Sequence, residues 1–221
     1  DGGDEVQIPD DGTYDWAADD SFTIAFWMKT DQTNPPRNMV VVGRDGGPTS
    51  LHWWIGTEVS TGKVRFQLKD TENQGLYLGN KGPVLDDNQW HHIVCVRDES
   101  INQNRVYVDT VLVDSGTHDY ANSFAESVPM NVGYIELSDR YHYDGLLDDL
   151  TMYNQALSVP EIQQQYINGK DGKGACIVPE EPNIISTAVT SASMMVQYTY
   201  NIDATSWPIC DYSLGSGPVG F

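Results

Sequence analysis

Two carboxylates sit where strand alternation turns them toward apolar neighbours, and paired oxygens of that kind are chemistry for a hard cation. In DGLLDDLTMYNQALSVPEI, Asp144 to Ile162, the alternation of a strand places Asp148 on one face with Leu146, Leu150 and Met152. The same period applied to DEVQI places Asp4 with Val6 and Ile8. A buried carboxylate is too costly to keep ionised alone, so it is protonated, hydrogen-bonded or matched by a cation. If the first and last strands of the fold lie side by side, Asp4 and Asp148 converge. Such an oxygen set suits Ca2+, which takes about six to eight oxygen ligands. An Asp148 that caps a turn by accepting backbone N–H groups satisfies the carboxylate without metal.

A second chemistry is sugar recognition, which uses aromatic faces for C–H stacking and polar groups for hydroxyls. In LHWWIG, Trp53 and Trp54 point oppositely, and only one of them can share a face with Leu51 and Ile55. Trp54 is the candidate for the other face. The loop SDRYHYDG offers Tyr141 and His142 beside Asp139 and Arg140. Both clusters also read as cover, with Trp54 under a loop and Tyr141 anchoring its own turn.

Other chemistries lack their residues. There is no HExxH, no G-x-S-x-G and no P-loop. His91 and His92, adjacent in a strand, face opposite ways and cannot jointly hold one metal. The stretch Asp98 to Asp109 spaces its oxygens like an EF-hand loop, but Gln103 stands where that loop needs glycine, and a hairpin is the better reading. Asp86 and Asp87 read as a solvated turn. The charge is −20, from 32 acids and 12 bases, which repels phosphate backbones and anionic lipid and so argues against nucleic acid as a partner. No apolar run is long enough to insert in a membrane. Three cysteines are too few for a disulfide scaffold. Cys95, in HHIVCVR, reads as a buried thiol, while Cys176 and Cys210 could pair in an oxidising compartment. The sequence opens at Asp1 without methionine, as expected of a processed product or an excised piece.

Short β-prone runs broken by Gly, Asp and Asn must position these residues. In SFTIAFWMKT, Phe22, Ile24, Phe26 and Met28 share a face. LHWWIG, KVRFQLKD, WHHIVCVRD and RVYVDTVLVDSG read as further strands, with others over Met130 to Leu137 and Gly145 to Tyr153. The sum is an all-β, antiparallel β-sandwich with one short C-terminal helix. That helix begins after Ala156. Ser158 and Glu161 form a capping box, Leu157 and Ile162 a hydrophobic staple, and Gly169 is the expected stop. VPEEPN, residues 178–183, reads as a linker, and residues 184–221 as a partial second β-domain, since a sandwich of immunoglobulin size needs roughly 100 residues. Its MMVQYTYNI would leave a strand edge open to self-association.

The segments FTIAFWMKT, WHHIVCVRD, VYVDTVLVDSG and YHYDGLLDDLTMYNQALSVPEIQQQY, after an opening DGGDEVQIP, resemble in type and order the laminin-G-like domains of the concanavalin A-like lectin/glucanase superfamily. The resemblance runs from Asp1 to about Tyr166, in a domain expected over residues 1–177. It implies a concanavalin A-like jelly roll and a structural Ca2+ between the N-terminal segment and Asp148, with Asp1 and the Gly2 carbonyl as further ligands. It also implies an extracellular, non-catalytic module for adhesion or for binding glycan or an extracellular protein. The E-x-D-x-x-E strand of the superfamily's glucanases is missing, so a glycoside hydrolase is the weaker reading. A structural subunit assembling through residues 184–221 is the other alternative. Thr110 departs from the family's usual turn glycine. The tail's YTYNIDATSWP, Tyr198 to Pro208, is more weakly similar to bacterial Ig-like or cadherin-like repeats.

Overall fold

The computed structural model describes residues 4–135 and 141–174. Among the described residues, eleven strands form two antiparallel sheets. One has the order β1 (Val6–Ile8), β10 (Met130–Val132), β3 (Met39–Asp45), β4 (His52–Thr57), β5 (Lys63–Lys69), β6 (Gly75–Val84). The other runs β11 (Leu146–Tyr153), β2 (Phe22–Lys29), β7 (His91–Asp98), β8 (Gln103–Val108), β9 (Val111–Thr117). The core lies between them, where Phe22, Ile24, Phe26 and Met28 of β2 meet Trp53, Ile55, Phe66 and Leu68 of the facing sheet. The expected alternation in β2 and β4 therefore holds. Helix α1 (Val159–Lys170) clips the outer face of the five-stranded sheet, where Leu157 and Ile162 pack on Ala25, Val94, Val96 and Tyr153.

The helix starts as its sequence dictates. The Ser158–Glu161 capping box is formed in both directions, and both staple residues are buried. It does not stop at Gly169. It continues to Lys170, and the left-handed glycine that follows is Gly172, at φ +66°. Gly169 serves packing instead: a Cβ there would come 2.3 Å from Trp27 Nε1, so its bare backbone lets the helix sit close on the sheet.

Three strand expectations change. β3 and β6 were not foreseen: MVVVGRD is a continuous apolar run buried on both faces, and GLYLGNKGPV is rich in breakers. The first and last strands do not pair. β1 edges the six-stranded sheet and β11 the five-stranded one, so they flank the same open side of the sandwich without sharing a ladder. A groove of about 350 Å³ separates them, lined by Asp4, Glu5 and Val6 on one side and by Gly145 and Leu147 on the other.

The third change removes the buried carboxylate. The pairing of β11 with β2 slips between Asp148 and Thr151, and Asp149 takes φ +50°. This β-bulge inverts the parity of the strand, so Leu147, Leu150 and Met152 pack against the core while Leu146 and Asp148 are exposed. Asp148 Oδ1 accepts the Asp149 backbone N–H at 2.8 Å, the turn-capping role that needs no metal.

The β8–β9 hairpin keeps a two-residue loop, with Val108 opposite Val111. Its two residues, Asp109 and Thr110, both have positive φ, +49° and +72°. Thr110 accordingly occupies a left-handed position that favours glycine. Cys95 is buried and its thiol pKa is pushed well up by burial. Cys176, Cys210 and the expected second β-domain lie outside the described residues.

Candidate functional site

The outer face of the six-stranded sheet carries a polar and aromatic row built by cross-strand register. Gly43, Trp54, Gln67 and Tyr77 stand opposite one another on four successive strands. Because Trp53 turns into the core, Trp54 must turn out, as its spacing required. It does not reach solvent freely: Trp54 is 5% exposed, packed with Val40, Ile135 and Tyr141. Its Nε1 donates to Gln67 Oε1 at 2.9 Å, which satisfies the buried indole. Gly43 makes this packing possible, since a Cβ there would approach the Trp54 Cβ to 2.8 Å.

Trp54 and Tyr141, singled out separately in the sequence, thus meet in one cavity of about 230 Å³. His52, Arg65 and Tyr77 complete its working surface. Tyr77 is 51% exposed and is the aromatic ring that a ligand reaches from solvent. The Arg65 guanidinium lies 4.9 Å from its centroid and Lys69 Nζ lies 5.5 Å away. Arg65 also lies 5.8 Å from the Trp54 ring and forms an ion pair with Glu58. Arg37 stands over the Tyr141 ring at 5.7 Å. In a chain of net charge −20, this clustering of cations around aromatic rings sets the face apart. Among the described residues that line the cavity there is no carboxylate.

The remaining predicted residues are dispersed. His142 stacks on Tyr134, with centroids 5.9 Å apart, and does not line the cavity. Asp139, Arg140, Asp1 and Gly2 lie outside the described residues. Asp4 lines the open-edge groove, whereas Asp148 lines a different groove beside α1. The expected pairing of Asp4 with Asp148 around Ca2+ does not fit this arrangement, because the bulge turns Asp148 away from the edge. Among the described residues, no group of three or more His, Cys, Asp or Glu could hold a metal.

Sequence reasoning missed Tyr77 and Arg44. Tyr77 could have been found as the outward residue between Leu76 and Leu78, had β6 been recognised. Arg44 is 1% exposed and donates to the carbonyls of Tyr14, Glu126 and Val128 and to Asp10 and Asp15. It ties two loops to β3, the β1–β2 and β9–β10 connections, a structural role with no local signal.

His91 and His92 face opposite ways, as expected, and their environments diverge. His91 Nδ1 lies 2.7 Å from Asp109 Oδ2 and its Nε2 lies 3.1 Å from Asp87 Oδ1. The Asp109 hydrogen bond raises its pKa against the opposing effect of burial. His92 packs beside Trp27 and Tyr166, and burial pushes its pKa down to about 4.

A family model described as the concanavalin A-like lectin/glucanases superfamily, Laminin_G_3, matches residues 1–163. No curated protein matches the chain. Among solved structures, the binding domain of Paraclostridial Mosquitocidal Protein 1 superposes with a TM-score of 0.60 at 15% identity, over 73% of this chain and 40% of that one. The botulinum neurotoxin serotype D ligand binding domain in complex with N-acetylneuraminic acid gives 0.56 at 15% identity, over 75% and 40%. The native heptameric SAP-like pentraxin from Limulus polyphemus gives 0.52 at 12% identity, over 75% and 83%. The chain spans about 40% of the length of the toxin binding domains it matches. At these identities the likeness is one of fold.

Proposed function

The chain belongs to the Laminin_G_3 family of the concanavalin A-like lectin/glucanase superfamily, and from that premise we propose that it is an extracellular, non-catalytic binding module for glycans carrying an acidic group. The observation that carries this reading is the half-exposed Tyr77 held between Arg65 and Lys69 on the outer sheet face. Once a cation swings off the ring onto the acidic group of the ligand, the tyrosine presents a flat apolar surface to the C–H face of a sugar ring. The two cations offer charge-assisted hydrogen bonds to a carboxylate or sulfate. Trp54 and Gln67 act beneath it as a rigid, satisfied floor, and Tyr141 closes one wall. The fold neighbour solved with N-acetylneuraminic acid is in keeping with an acidic sugar as the ligand class. A protein ligand with an acidic patch would use the same cations, and the test below separates the two.

Immobilised glycans ending in N-acetylneuraminic acid, and the same glycans after desialylation, provide the assay. We expect the sialylated set to bind and Tyr77→Ala to weaken binding by about tenfold, or about 1.4 kcal/mol. Equal binding by Tyr77→Ala and the unmodified protein would end this reading. So would the absence of any glycan bound alongside capture of an acidic protein. Structural Ca2+ is kept as a proposal confined to the beginning of the chain, where Asp4 would act with Asp1 and the Gly2 carbonyl rather than with Asp148.

A further inference from the structure

On the opposite side of the sandwich, a groove of about 430 Å³ runs between the outer face of the five-stranded sheet and α1. Such a volume lies within the range of about 300–1,000 Å³ usual for small-molecule sites. Its two ends differ in kind. Trp90 is 41% exposed, a large indole left at the surface. Facing it across the groove are the two carboxylates of the β11 bulge, Asp148 and Asp149, with Lys170 and Gln89 at the rim.

The floor holds an unsatisfied group. Trp27 lines the groove and is 8% exposed, and its Nε1 has no acceptor among the described residues. Indole N–H is a donor only, so nothing but an acceptor oxygen can satisfy it. Gly169 is the residue beside that N–H, and a Cβ there would come 2.3 Å from Nε1. Glycine at this place keeps side-chain atoms off the Nε1 position. The ring itself is held fixed by Tyr166, stacked at 5.3 Å.

The donor and acceptor inventory chooses between ligand classes. The groove offers acceptors in Asp148 and Asp149, donors in Lys170 and the Gln89 amide, and one open aromatic face, with Trp27 Nε1 a further donor buried beneath the floor. A cationic side chain or alkylammonium would use the carboxylates and the indole face but would meet Lys170 and leave Trp27 Nε1 unpaired. A phosphate or acidic sugar would meet two carboxylates. A hydroxyl group both donates and accepts, so a ring bearing neighbouring hydroxyls can bond to a carboxylate with one and accept from an N–H with another. We infer that the groove between Trp90, the Asp148–Asp149 bulge and the C-terminal end of α1 is a second glycan site, which takes a neutral, hydroxyl-rich sugar residue stacked on Trp90.

This site is independent of the acidic-glycan reading of the other face, since no residue is common to both. Asp148 and Asp149 have their roles by way of the bulge, which alone brings two consecutive side chains to one side of a strand. Asp149 is half-buried, and burial, followed by the neighbouring Asp148 charge, raises its pKa. A hydrogen-bonding hydroxyl compensates such a desolvated carboxyl group in either protonation state.

Tryptophan fluorescence and saturation-transfer NMR with the methyl glycosides of glucose, galactose and mannose test the inference on the whole chain. At least one glycoside is expected to give a saturable response. Trp90→Ala and Asp148→Asn, both exposed positions, are each expected to weaken it by about tenfold, while Tyr77→Ala leaves it unchanged. Trp27→Phe keeps a ring under Tyr166 but removes the N–H, and is expected to weaken binding by a smaller factor, with its urea unfolding measured alongside to separate any loss of packing. No saturable response to any of the three glycosides overturns the inference. So does a response lost in Tyr77→Ala but kept in Trp90→Ala, and so does binding of methylated lysine in place of the glycosides. Loss of acidic-glycan binding in Tyr77→Ala bears only on the other face.

Discussion

Lowering the pH should unfold the protein partly through one histidine. His92 is buried beside Trp27 and Tyr166, and its pKa falls from 6.5 to about 4. Between those values the unfolded chain binds a proton that the folded chain refuses, so stability falls as pH falls through this window. Linkage for one site with these two pKa values gives a loss of about 2 kcal/mol between pH 7.5 and pH 5, approaching about 3 kcal/mol below pH 4. His91 acts in the opposite sense. Its raised pKa contributes stability that is present below the unfolded value of 6.5 and is lost as pH rises through the folded value. Urea unfolding at pH 7.5 and 5.0, for the unmodified protein and for His92→Gln, isolates the effect, because carboxylate titration is common to both. The variant should lack about 2 kcal/mol of the acid destabilisation, whatever its stability at pH 7.5. Two-dimensional NMR of the imidazole protons should show His92 still neutral at pH 5 and His91 protonated there. A His92 that titrates near 6.5, or a pH dependence identical in protein and variant, would refute the argument from burial.

Three other outcomes follow from the fold. Thr110→Gly should raise stability by about 1 kcal/mol in urea unfolding, because a β-branched residue at φ +72° is strained where glycine is not. Arg44→Met should cost about 3–5 kcal/mol by the same assay, since it leaves Asp10, Asp15 and three loop carbonyls without their buried donor. Asp148→Asn should leave any shift of the melting temperature produced by a calcium chelator unchanged, because Asp148 lies in the groove beside α1 and not in the one that holds Asp4.

The strands with strict alternation were legible from sequence because one face of each meets the core. β2 and β4 are examples, and the outward turn of Trp54 followed directly. The helix was legible too, since a capping box and its staple are local chemistry. β3 was not, because a strand buried on both faces loses its period. β6 was not, because Gly79 and Gly82, at φ +117° and +78°, serve close approach and turning within a strand and read as breakers. The reading of Asp148 failed for a reason alternation cannot see. One inserted residue at Asp149 shifts every later side chain to the other face, and a bulge has no composition of its own beyond a residue that tolerates positive φ. The meeting of Trp54 and Tyr141 in one cavity was not legible either, since it depends on how a distant loop folds over the sheet.

The same bulge bears on how the protein behaves when crowded. β11 is the outermost strand of its sheet, and a flat outermost strand is a template on which another chain can dock and extend the ladder. Asp148 and Asp149 break the regular spacing of its backbone groups and place two carboxylates midway along it. A second copy approaching edge to edge would meet its own pair of negative charges there, with no matching register. A deletion of Asp149 that straightened the strand would therefore do more than move a side chain. It would remove a guard against sheet-to-sheet polymerisation, and the groove beside α1 would lose one of its two carboxylates with it.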